Sequence, residues 1–225
     1  MVRVFIKNGP CGAESFFKII GVENNTYILQ ECIGKPSTTF CELQERFKDV
    51  MNKSTLSKRL AELINAGLLD KIRYTNAKPS YTVYRITQKS IDLIPIFDLM
   101  SKFCFQWGSA NDGDIVSWTT GIKRLLGSRW NARIIWLLFV LRSVRFNELK
   151  NSIEGISFKM LTQQLRFLEK EEVIIRKDFN ENPPHVEYSL TEKGNALYNI
   201  LLLIAQWNGQ YGMKNGNMGT MNNIV

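Results

Sequence analysis

The chain has 225 residues, 44% of them hydrophobic and 22% charged, an ordinary globular mixture long enough for one large or two small domains. Its net charge is +8, with 15 Lys and Arg to 10 Asp and Glu in residues 1–108 and 14 to 11 in the rest, which favours a polyanionic partner, nucleic acid first. Cys11, Cys32, Cys41 and Cys104 lack paired-ligand spacing, which argues against a disulfide framework or a metal site.

From the N-terminus, Tyr27, Ile28 and Cys32 recur on one helical face, predicting a helix over 24–34 that Gly34-Lys35-Pro36 stops. A short helix follows over 40–47. Asn52 is the expected N-cap of a third helix that turns Leu56, Leu60 and Leu63 inward and ends at Gly67. LLDKIRY (68–74) and YTVYRIT (81–87) then read as two strands around a polar, proline-marked loop. The run IDLIPIFDLMSKFCFQW (91–107) predicts a closing helix apolar on more than one face, which needs a packing partner beyond its own small domain.

After a short polar linker at SANDGD (109–114) the same order returns. A helix is expected over 130–142 and a short one over 145–151. A third runs from Ser157 with Leu161, Leu165 and Leu168 inward, and a hairpin spans 173–190. In that hairpin Pro183 and Pro184 end the first strand and stiffen the turn, while Val186, Tyr188 and Leu190 alternate inward. Thr191 caps a last helix over 192–208, whose stretch NALYNILLLIAQW is apolar like its partner. The tail 212–225, with four asparagines, is expected to be mobile.

The halves also align residue by residue. TFCELQERF (39–47) lies over RFNELKNSI (145–153) at an offset of 106. The stretch 51–71 lies over 156–176 at 105, and YRIT (84–87) over YSLT at 104. Matching order with small offset changes is what two copies with single-residue insertions or deletions produce. The expected fold is α+β and mainly α, a tandem of winged helix-turn-helix domains over 1–108 and 109–211.

In that arrangement the third helix enters the major groove of double-stranded DNA. With its leucines buried, Lys53, Thr55, Lys58 and Arg59 face outward in the first copy, and Lys159, Thr162, Gln163 and Arg166 in the second. The wings add Lys71, Arg73 and Lys78, then Arg176, Lys177 and His185, as candidate phosphate contacts. His185 reads as a wing-tip residue rather than a metal ligand or catalytic base. With a single histidine, no glycine-rich phosphate loop and no nucleophile elbow, the chain offers no enzyme signature. No cofactor is expected. The alternative is a winged-helix scaffold that uses its charged faces on protein alone. The first fifteen residues hold no leader signature, and the greasy windows 133–141 and 196–207 fall short of the ~20 residues of a bilayer span, so a cytoplasmic protein is expected.

Several stretches of the second copy resemble the HxlR-type winged-helix transcriptional regulators. LLGSRW (125–130) is similar to the family's opening glycine-tryptophan segment and RFNEL (145–149) to the start of its second helix. GISFKMLTQQLRFLEKEEVIIR (155–176) is similar to the groove helix and first wing strand, and NPPHVEYSLTEKG (182–194) to the wing and last helix. The first copy resembles the family more loosely. GPCGAE (9–14) stands for the N-terminal cysteine segment, Asn24 for the tryptophan seen as Trp130, and KPSY (78–81) for PPHV. The resemblance reaches about residue 210 and implies a DNA-binding regulator. It also implies homodimers formed through the N-terminal and final helices, so the fused copies would mimic that dimer within one chain. A further homodimer through helices 91–107 and 192–208 is the alternative. Finally, the resemblance carries a redox or electrophile sensing role to Cys11 alone, beside the plain alternative of an inert residue.

Overall fold

A computed structural model of the chain describes residues 12–76, 78–108 and 115–211. The first repeat runs α1 (Ala13–Ile19), α2 (Glu23–Cys32), β1 (Thr38–Thr39), α3 (Phe40–Arg46), α4 (Lys53–Asn65), β2 (Leu69–Tyr74), β3 (Tyr81–Ile86), α5 (Gln88–Ile91) and α6 (Ile94–Trp107). The second runs α7 (Ile115–Leu126), α8 (Arg129–Leu141), β4 (Ser143–Arg145), α9 (Phe146–Ser152), α10 (Phe158–Lys170), β5 (Ile174–Asp178), β6 (Val186–Leu190) and α11 (Glu192–Tyr211).

Each repeat closes on a three-stranded antiparallel sheet, ordered β1-β3-β2 in the first and β4-β6-β5 in the second. Their registers coincide. Thr38 pairs with Tyr84 where Val144 pairs with Tyr188, and Leu69 pairs with Ile86 where Ile174 pairs with Leu190. Those pairs sit at the offsets of 106, 105 and 104 read from the sequence. The outer strands β1 and β4 were not anticipated from sequence, where the hairpin was expected to stand alone. At two and three residues they are too short to show an alternating pattern.

Other boundaries also differ from expectation. The helix expected over 24–34 stops at Cys32, because Ile33 is already extended and Gly34 takes a φ of +84°. The run 91–107 is two helices, since Pro95 occupies the first turn of α6 and α5 ends at Ile91. In α6, Ile96, Phe97, Met100 and Phe103 are buried, whereas Phe105 is 95% exposed. α11 runs unbroken and buries Leu197, Ile200, Leu201, Ile204 and Trp207.

The chain divides into two compact units, one of Ser15–Lys123, the other of the described residues before Ser15 with those from Arg124 onward. Most of α7 therefore belongs to the unit of the first repeat, where Lys123 Nζ donates to the Gly21 carbonyl at 2.9 Å. Each repeat ties the start of its second helix, α2 or α8, to the preceding helix through a buried asparagine. Asn25 Nδ2 donates to Ile19 O at 3.0 Å, and Asn131 Nδ2 to Leu125 O at 3.1 Å.

Candidate nucleic-acid interface

The two candidate groove helices are built alike. Asn52 accepts from the Thr55 amide at 2.8 Å and Ser157 from the Met160 amide at 3.1 Å, each satisfying an N-terminal amide that has no partner within its helix. Leu56, Leu60 and Leu63 of α4, and Leu161, Leu165 and Leu168 of α10, are buried. Each helix ends in a Schellman motif: Leu68 N bonds Leu63 O and Gly67 N bonds Ile64 O in the first, while Val173 N bonds Leu168 O and Glu172 N bonds Glu169 O in the second. With both ends and one face so fixed, the remaining face of each helix is polar and open to solvent.

On that face Lys53 and Lys58 of α4 are exposed, and so are Lys159, Gln163 and Arg166 of α10. Thr55 and Thr162 are half-buried, and the Thr162 hydroxyl donates to Phe158 O at 2.9 Å. Arg59 differs from its neighbours. Its Nη1 lies 2.7 Å from Glu62 Oε2 and only 24% of its side chain is exposed, so its charge is balanced on its own helix.

In the first wing Lys71, Arg73 and Lys78 are all exposed. Sequence reasoning missed the pair beside them: Tyr74 and Tyr81, cross-strand partners at the hairpin mouth, stack with ring centroids 4.9 Å apart and remain 40% and 47% exposed. The available signal was a tyrosine on each side of the hairpin loop. In the second wing Arg176 pairs with Asp178 at 3.1 Å, and Lys177 Nζ sits 4.6 Å from the centroid of Phe179.

His185 is not an open wing tip. Its Nδ1 lies 2.8 Å from Glu181 Oε2 and its Nε2 2.8 Å from Glu187 Oε1, while its ring stacks on Phe179 at 4.3 Å. The Glu187 and Glu181 hydrogen bonds raise its pKa above the ordinary value. Arg145, 3.1 Å from Nε2, opposes that shift. Glu187 is held below its ordinary pKa by the hydrogen bond from Ser143 and then by His185.

The cysteines divide by exposure. Cys32 is buried, and burial pushes its thiol up to about 11, which keeps it protonated and unreactive. Cys41 is exposed and Cys104 half-buried. Cys11, the linker 109–114 and the tail 212–225 lie outside the described residues. Among the described residues no group of three or more His, Cys, Asp or Glu is placed to hold a metal ion, and no helix is long and apolar enough to cross a membrane.

The chain has relatives among known proteins. A protein of Fusobacterium mortiferum that bears the name regulatory protein MalR is 45% identical over 82 residues, 36% of this chain and 77% of its own. An HTH-type transcriptional regulator of Halalkalibacterium halodurans is 42% identical over 93 residues, 41% of this chain and 79% of its own. Among solved structures, the reduced form of the transcriptional regulator YodB from B. subtilis is 37% identical, covering 44% of this chain and 95% of that one with a TM-score of 0.40. The family described as HxlR-like helix-turn-helix matches twice, over residues 19–112 and 125–216. With both repeats matched, the chain belongs to the HxlR-like helix-turn-helix family and carries that family's unit twice.

Proposed function

We propose that this DNA-binding transcriptional regulator reads duplex DNA with α4 and α10, each lying in a major groove, and sets its wings on the flanking backbone or minor groove. One observation carries the reading: both repeats present a capped helix whose leucines are buried and whose exposed face holds lysine, with glutamine and arginine added in α10. Lys53, Lys58, Lys159, Gln163 and Arg166 are the base-reading candidates. Arg73 and Lys78 serve as phosphate contacts. Arg59 and Arg176, each paired with a carboxylate, contribute less than their charge suggests, because that partner must be displaced first. The reading gives the chain no catalytic step and no cofactor.

The test is selection of binding sites from random duplex, followed by alanine variants measured on the selected and a scrambled sequence. Gln163→Ala or Arg166→Ala should cost about 1–3 kcal/mol on the selected duplex only. Arg73→Ala should weaken both duplexes equally and flatten the salt dependence by about one unit. No enriched sequence, or equal losses from helix and wing variants on both duplexes, would move the protein toward non-specific binding or a scaffold role.

A further inference from the structure

We propose that Phe158 reads the 5-methyl group of a thymine, so that the second repeat demands a thymine at a position where the first repeat does not. The proposal rests on α10 lying in the major groove and adds the base that its first turn recognises. Phe158 is the first residue of α10, directly after the cap Ser157, and 61% of it is exposed. By spacing it continues the row of Leu161, Leu165 and Leu168, but one step beyond the end of the core, so burial within the fold does not account for a large ring there.

The ring is nonetheless held in place. Phe146, the first residue of α9, stacks on it at 6.0 Å with planes 18° apart, and Lys150 Nζ lies 5.2 Å from its centroid. One side of the ring is thus anchored to α9, and the rest is offered to solvent at the end of the helix that approaches base edges. The thymine methyl is the one apolar group on the floor of the major groove, and phenylalanine is among the side chains that meet it. In the first repeat the corresponding residue, at the offset of 105, is the exposed Lys53, whose ammonium suits the guanine O6 and N7 acceptors instead. The two helices share their cap and buried leucines but carry different chemistry at their leading residue.

The experiment uses the full chain and a duplex enriched by selection. The half-site of the second repeat is the one whose base changes no longer matter to Gln163→Ala. Each thymine in it is replaced singly by deoxyuridine, which removes the methyl and keeps every hydrogen-bonding group. One replacement should weaken the unaltered protein by about threefold to fivefold, the effect of returning a methyl-sized contact to water, and should leave Phe158→Ala unaffected. Phe158→Leu should retain part of the sensitivity. Circular dichroism checks that the variants are folded, which substitution of a largely exposed side chain favours. If every deoxyuridine duplex binds like its parent while Gln163→Ala still loses affinity for the selected duplex alone, α10 reads the groove and Phe158 does not. A Phe158→Ala protein that keeps the methyl sensitivity also overturns the assignment. If no sequence is enriched, the groove reading fails and this assignment fails with it.

Discussion

His185 is the chain's single histidine, and two carboxylates face it across the second wing while one guanidinium approaches from β4. Only the protonated ring can donate to Glu181 and Glu187 together; the neutral ring donates to one and leaves the other without its bond. Because the folded pKa is raised, the contribution of this bridge to wing order is fully present below the ordinary value of 6.5 and is lost as pH rises through the folded value. At the acid end the lowered Glu187 sets the opposite limit, its contribution disappearing as pH falls through its own depressed value. A proton NMR titration of the imidazole should show a midpoint above 6.5 that falls in Glu187→Gln. A midpoint at or below the ordinary value in the unaltered protein would dismiss the bridge. Glu187, two residues on along the extended strand, was within reach of the sequence pattern, but Glu181 meets the ring only because the loop 179–185 folds back, its ends joined by Phe179 N donating to His185 O. The exposed lysines of α4 and α10 were legible for a simpler reason: leucines at helical spacing leave the other positions outside. The pairing of Arg59 with Glu62 lay within reach of the same spacing, three residues apart on one helix.

At the scale of elements, the two repeats end their groove helices with one geometry and different residues. Gly67 adopts the left-handed conformation, φ +69°, that a Schellman motif requires, and Glu172 adopts it at φ +58° with a side chain that disfavours it. The surroundings match, because Thr87 Oγ1 donates to Gly67 O at 2.8 Å and Thr191 Oγ1 to Glu172 O at 2.7 Å. Glu172→Gly should therefore stabilise the protein by about 0.5–1 kcal/mol, the relief of backbone strain less the added freedom of the unfolded chain. Gly67→Ala should cost about 1 kcal/mol from the backbone alone, since a methyl there meets nothing nearer than Lys89 Cδ at 4.0 Å. Urea unfolding followed by tryptophan emission measures both. A destabilised Glu172→Gly protein would mean that the side chain makes a contact outweighing the strain. The repeats part again one turn into the following helix. A Cβ on Gly194 would come within 2.2 Å of Val173 O, whereas Ser90 stands in the first repeat and its hydroxyl donates to Leu68 O. Both solve the same close approach, one by having no side chain and the other by hydrogen-bonding. Helices, wings and repeat were legible because periodicity and caps are local. The outer strands and the break before Pro95 were less so. The former depend on pairing with distant residues, and the latter interrupts a run whose apolar content reads as continuous.

At the scale of the molecule, one chain carries two candidate reading helices, and on the proposed reading that fixes what its binding site should look like. A regulator with one such unit must pair with a second copy to occupy two half-sites, so its occupancy of the site falls with the square of the monomer concentration once the dimer dissociates. With both helices on one chain, engagement of the second is expected to be intramolecular and governed by an effective concentration rather than by the bulk concentration of protein. We expect one chain to saturate one site with two unlike half-sites about 34–36 Å apart, one turn of the duplex. Titrating labelled duplex well above the dissociation constant should break at one chain per site. A break at two chains would mean that the repeats pair between chains and that each chain uses one helix per site. Spacing gives an independent check. Five base pairs inserted between the half-sites turn one to the opposite side of the duplex and should reduce affinity to that of a single half-site. Replacing Lys159, Gln163 and Arg166 together by alanine in the uninserted complex should produce a similar loss. If the inserted duplex binds as tightly as the parent, the two units bind independently, and the doubling of the chain adds local concentration on DNA without specifying a composite operator.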